Sequence, residues 1–206
     1  MANSSNGNSK KANRNGGRSQ KQGKKHNKPA LSCLLPFDRG KKTVNVIIET
    51  PKGSRNKFKY DQECGVFSLG SVLPAGSAFP YDFGYIPGTR SGDGDPLDVL
   101  LLMDVQGFPG CRVESRLIGV IEAQQTDEDQ TERNDRLVAV AVEAHDYRNL
   151  KSLKDLEPHL LKEIEHFFVS YNELRGKTFK LLDHRGPARA LKVLKDAVRK
   201  GKKTSR

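Results

Sequence analysis

The chain has 206 residues, of which 35% are hydrophobic, and a formal charge of +11; this length fits one compact domain with tails and excludes a second of full size. The charge divides into +8 for residues 1–30, +6 for 191–206 and −3 for 31–190, so the expected folded part is slightly acidic, and nucleic-acid binding is not its expected main task. Cys33, Cys64 and Cys111 are widely spaced without a C-x-x-C pair, which excludes a disulfide framework and a zinc site, and the lack of an apolar leader core or a membrane-length apolar run makes the cytoplasm the expected location.

In chain order, residues 1–30 hold eight Lys or Arg and no acid. With almost nothing apolar to bury, they are expected to be a disordered basic tail that touches polyanions weakly. The folded domain is expected over 31–190, with 191–206 forming the end of a last helix and a basic C-terminal tail. Within the domain, Val44–Glu49 alternates as a strand before Pro51 and Gly53 break it. Short strand signals follow at 57–61, 65–69, 84–86, 98–103, 112–121 and 137–142, separated by Pro- and Gly-containing turns. That rhythm predicts an antiparallel barrel or sandwich.

Helical periodicity arrives late. Leu160, Leu161, Ile164, Phe167, Phe168 and Tyr171 recur at three- and four-residue steps after Pro158, a residue suited to a first helical turn. A second helix is expected from Gly186-Pro187, with Ala190, Leu191, Leu194 and Val198 on one side. The fold class is therefore α+β, a small barrel flanked by two C-terminal helices.

The stretch that carries chemistry runs from Phe79 to Leu102. Asp93 and Asp95 are two residues apart, and Asp98 opens an apolar strand expected to be buried on both faces. Carboxylates this close repel one another unless cations lie between them, and hard oxygen donors of this kind suit Mg²⁺ or Mn²⁺. The five histidines have no metal-binding spacing with these acids.

The segment Asp93-Gly-Asp-Pro-Leu-Asp98-Val-Leu resembles the signature of the family I inorganic pyrophosphatases. The resemblance extends from about Val44 to Tyr171, through Ile48-Glu49-Thr-Pro-Lys-Gly-Ser, Lys59-Tyr60, Phe79-Pro-Tyr-Asp-Phe-Gly-Tyr-Ile-Pro, Pro109-Gly110, Leu137-Val-Ala-Val and His166-Phe-Phe-x-x-Tyr171. It implies an OB-like five-stranded antiparallel barrel, dependence on Mg²⁺ with Mn²⁺ as a substitute, and often a homohexamer. The implied reaction is hydrolysis of pyrophosphate to two orthophosphates at a multi-Mg²⁺ site, where a shared water loses its proton to become a metal-bound hydroxide. The alternatives are a divergent member acting on another phosphoanhydride and a non-catalytic polyanion-binding protein.

Carried over by position, the resemblance implies Asp95 as the catalytic proton acceptor. Asp93, Asp98 and Glu49 become metal ligands, with Asp135 and Asp127 as displaced candidates. Lys59, Arg136 and Tyr171 become substrate-binding groups, as do Lys177 and Asp61. Several positions depart from the family pattern. Two usual acids fall at Gln124 or Gln125 and at Asn134, the phosphate-binding Arg falls near Ser71, two tyrosines become Phe79 and Phe83, the Glu after Lys-Tyr is Asp61, and the Lys after the helix tyrosine is Asn172. The pattern is that of a divergent branch with an intact triad of aspartates.

Overall fold

The computed structural model describes residue 31 and residues 34–204; the expected tail at 1–30 lies outside the described residues. The described strands are β1 (Phe37–Asp38), β2 (Thr43–Thr50), β3 (Asn56–Asp61), β4 (Val66–Val72), β5 (Asp82–Ile86), β6 (Leu97–Leu102), β7 (Arg112–Asp127), β8 (Gln130–Arg133), β9 (Arg136–Ala141) and β10 (Thr178–Arg185). Two α-helices follow among the described residues, α1 (Pro158–Glu173) before β10 and α2 (Pro187–Thr204) after it.

The strands β2, β5, β6, β9 and β7 pair in that order, and β7 pairs again with β2, which closes a five-stranded ring. This is the expected barrel with one difference: β6 and β9 run parallel, Val99 opposite Leu137. A parallel pair needs a long crossover, and the path from β6 to β9 goes by way of the long strand β7. The ring encloses a dry core that includes Val46, Ile48, Leu100, Ile121 and Val138.

Strand β7 is longer than the expected 112–121. Its first residues pair with β2, its middle with β9 and its last third with β8 and β10. A register shift between Leu117 and Gly119 bends it from one partner set to the next. Strand β10 is a further element beyond those expected. It lies along β7 with Phe179 opposite Gln125 and buries Phe179 against the core.

Both helices form where the periodicity places them. In α1, Pro158 occupies the first turn, and the Glu157 carboxylate caps it by accepting from the Leu160 N–H at 3.0 Å. Ile164 and Phe168 are buried on the core. Helix α2 runs through the basic segment while Ala190, Leu194 and Ala197 stay buried. Its Ala197 carbonyl accepts from the Arg90 N–H at 3.1 Å. The last helix therefore braces the loop that carries the aspartates.

Candidate active site

The acid loop joins β5 to β6, and its shape follows from a few residues. Gly84 is needed because a Cβ there would lie 2.0 Å from the Ile47 carbonyl oxygen, so β5 can press against β2 only without a side chain. At the other end, the Thr89 hydroxyl accepts from the Leu97 N–H at 2.9 Å and donates to the Ile86 carbonyl at 2.6 Å, which clamps the base of the loop. Between these ends, Gly94 takes a φ of +88°, and the Asp95 N–H donates to Asp93 Oδ1 at 3.1 Å. This turn holds Asp93 and Asp95 together, while Asp98 follows on β6 at the mouth of the ring.

The cleft beside the loop is lined by Glu49, Lys59, Tyr60, Tyr85, Asp95 and Asp98, among others. Lys59 Nζ lies 2.8 Å from Asp95, and Arg136 lies 2.6 Å from Asp98. Glu49 is buried on β2 and accepts from the Tyr60 N–H at 2.8 Å. Burial, more than the nearby Asp98 charge, pushes its carboxyl up to about 7, against the lowering effect of the Tyr60 hydrogen bond and of Lys57 and Lys59. Asp93 is also raised: its carboxylate is partly desolvated although much of the residue faces solvent, and Asp98 and Asp95 add to the shift. Lys59 is raised by its hydrogen bond to Asp95.

Among the described residues, no three His, Cys, Asp or Glu side chains already converge as a cage for a metal ion. The ion pairs account for this, since Lys59 holds Asp95 and Arg136 holds Asp98. The donor set nevertheless fits hard divalent cations. It is all oxygen, and the carboxylates raise one another's pKa, a repulsion that a bound cation relieves.

Arg136 is buried, with its guanidinium 6.0 Å from the Phe83 ring, 5.7 Å from Phe168 and 5.8 Å from Phe179. It also donates to Asn134 Oδ1. Its Nε has no partner among the described residues, which leaves a buried donor free for an anion. The positions where the family pattern has acids hold amides bonded to each other, Asn134 Nδ2 donating to Gln125 Oε1 at 2.9 Å. Tyr171 ends α1 beside Phe167 and Phe79, and its hydroxyl accepts from Arg175. Arg175 also reaches Ser71 Oγ at 3.5 Å.

Four sequence candidates lie elsewhere. Asp135 points opposite to Asn134 and Arg136, as alternation along a strand requires; it accepts from the Ala123 N–H at 3.1 Å and pairs with Arg133 at 2.6 Å. Asp127 and Lys177 pair with each other at 2.5 Å, at the end of the β7–β10 ladder. Asp61 caps the β3–β4 turn by accepting from the Glu63 and Cys64 N–H groups, which hold its pKa down. None of the four lines the cleft. Conversely, the structure adds Tyr60 and Tyr85 to the cleft walls and brings Lys57 to the Phe83 and Tyr171 rings.

A closed ring with a carboxylate cleft at its mouth, matched by lysine and arginine, defines a protein that handles a polyanion together with hard cations. The inorganic pyrophosphatase family model matches residues 46–202, and the chain belongs to that family. It is 37% identical to the inorganic pyrophosphatase of Geobacillus stearothermophilus over 157 residues, covering 76% of this chain and 93% of that one. Among solved structures, the Thermus thermophilus inorganic pyrophosphatase is similar with a TM-score of 0.76 at 32% identity, covering 84% of this chain and 98% of that chain. The Neisseria gonorrhoeae inorganic pyrophosphatase gives 0.76 at 33% identity, with the same coverages of 84% and 98%.

Proposed function

We infer that this chain is an inorganic diphosphatase that hydrolyses pyrophosphate to two orthophosphates, with Mg²⁺ held by the carboxylates of the cleft. The observation that carries this reading is the matching of acids to cations at the loop, Lys59 on Asp95 and Arg136 on Asp98, in a chain of this family. Asp93, Asp98 and Glu49 hold the cations, and Mn²⁺ substitutes for Mg²⁺. Bound cations offset the charge of the carboxylates and the substrate and acidify water. Asp95 accepts the proton of the attacking water. Lys59 and Arg136 exchange their carboxylate partners for phosphate oxygens as cations and substrate arrive, and so stabilise charge on the departing phosphate. Tyr171 donates its hydroxyl to the substrate from the far side.

A second reading, activity on another phosphoanhydride, is favoured by the amide pair Gln125–Asn134 and by Phe79 and Phe83, which carry no polar group to grip the phosphates. The chain is also read as cytoplasmic and as a homo-oligomer, a hexamer by resemblance; no helix among the described residues is long and apolar enough to cross a membrane. Purified protein with Mg²⁺ is expected to release two orthophosphates per pyrophosphate, to do so with far lower efficiency on nucleoside triphosphates, and to stop in excess chelator. Release that persists in chelator, or that favours a triphosphate, contradicts the reading.

A further inference from the structure

Cations and aromatic rings alternate in a row that leads away from the carboxylates. Arg136 lies 6.0 Å from the centre of the Phe83 ring, and Lys57 Nζ lies 5.7 Å from the same ring. Lys57 is also 5.2 Å from the Tyr171 ring, and the Arg175 guanidinium is 5.3 Å from it. The row thus begins at the residue bonded to Asp98 and ends beyond α1. Its first cation is matched by an acid. Lys57 and Arg175 are not, since neither has a carboxylate within ion-pair distance among the described residues.

Their placement is built rather than incidental. Lys57 and Lys59 project from the same side of β3, and both lower the pKa of Glu49, so Lys57 belongs to the field of the cleft. Arg175 follows the end of α1, where its N–H donates to the Asn172 carbonyl at 2.9 Å and Gly176 turns the chain with a φ of +72°. The Tyr171 and Ser71 hydroxyls receive its guanidinium, and Tyr171 is itself packed on Phe167 and Phe79. Rings hold such cations by their electron-rich faces without neutralising them. The result is an uncompensated positive arm beside an acid cleft.

We propose that Lys57 and Arg175, with the Tyr171 hydroxyl, form the arm that binds the phosphoryl group of pyrophosphate lying farther from the carboxylates. The proposal rests on the pyrophosphatase reading for the identity of the anion. The substrate then spans two unlike regions, one phosphoryl among carboxylates and their cations, the other on lysine and arginine. An Arg guanidinium also offers paired donors to phosphate oxygens.

The test uses the full chain with Mg²⁺ and two readouts: pyrophosphate kinetics, and calorimetric affinity for methylenediphosphonate, a non-hydrolysable analogue. Lys57→Met and Arg175→Gln are each expected to raise KM and weaken analogue binding by about tenfold or more, the range of a lost charged hydrogen bond. Changes in kcat and in melting temperature should stay small, and Arg175→Lys should recover part of the affinity. Variants with parental KM and parental analogue affinity overturn the proposal, as does a loss confined to kcat. Should the parent bind the analogue through these residues without hydrolysing pyrophosphate, the arm stands and the catalytic reading fails, so the two failures are distinguishable.

Discussion

Replacing Glu49 by glutamine removes a charge that the fold itself resists. The side chain is 8% exposed, and burial raises its pKa from 4.5 to about 7. A folded-state pKa above the unfolded one means that the folded protein favours the protonated form. The stability from this group is therefore complete below about pH 4.5 and is lost as pH climbs through about 7. A rise of this size corresponds to about 3 kcal/mol. For a chain of this length that is roughly 6–12 °C in melting temperature. Glutamine keeps an oxygen to accept from the Tyr60 N–H and does not titrate. Melting curves in chelator, taken at several points from pH 4.5 to 8.5, should therefore show the parent losing stability relative to Glu49→Gln by about that amount. With saturating Mg²⁺ at pH 8 the difference should narrow or reverse, because the cation offsets the buried charge. Parallel curves for parent and variant across the whole range in chelator would refute the reasoning.

Asp95→Asn keeps the shape of the loop but removes the proton acceptor and the partner of Lys59; turnover should fall by about 10²- to 10⁴-fold while analogue binding survives, as steady-state kinetics and calorimetry would reveal. Gln125→Asp and Asn134→Asp replace a neutral amide pair, 2.9 Å apart, with a carboxylate beside Arg136, and each should lower the Mg²⁺ concentration needed for half-maximal activity; unchanged Mg²⁺ titrations would mean that these positions do not face the cations. Gly84→Ala would place a methyl carbon 2.0 Å from the Ile47 carbonyl oxygen, and the forced separation of β2 and β5 should cost about 3 kcal/mol or more in denaturant unfolding.

What the sequence could convey differs by element. Strand β2 and helix α1 were legible because their apolar residues repeat with periods of two and of about 3.6, and Pro158 marked the helix start. Strand β8 was not, because Gln130–Arg133 is polar and exposed throughout and is held only by pairing with β7. The extension of β7 to Asp127 escaped for the same reason. Strand β10, between two helical patterns, draws its order from the ladder with β7 and from burial of Phe179. The parallel placement of β9 beside β6 depends on tertiary closure of the ring, which local pattern does not encode.

The site divides in a similar way. Asp93, Asp95 and Asp98 could be read from spacing alone, because carboxylates so close in sequence cannot separate. Glu49, Lys59 and Arg136 come from distant strands and were legible only through resemblance to a family. Asp135 was misplaced because one step along a strand turns a side chain to the opposite face, towards Arg133 and the Ala123 N–H. Lys57 and Arg175 gave no signal, since their role follows from the ring faces of Phe83 and Tyr171 that the fold brings to them.

The measurement that bears most directly on the central claim is the Mg²⁺ dependence of pyrophosphate hydrolysis for the parent and Asp98→Asn, assayed side by side as orthophosphate release. Asp98 stands at the mouth of the ring, paired with Arg136 at 2.6 Å, where a cation and a substrate oxygen would share its neighbourhood. The expected result is no release by the parent without a divalent cation, saturating release with Mg²⁺, and in Asp98→Asn both a lower maximum and a higher Mg²⁺ requirement. An Asp98→Asn protein whose rate and Mg²⁺ curve match the parent's would contradict the account, because the acid loop would then be a turn and not the seat of the chemistry.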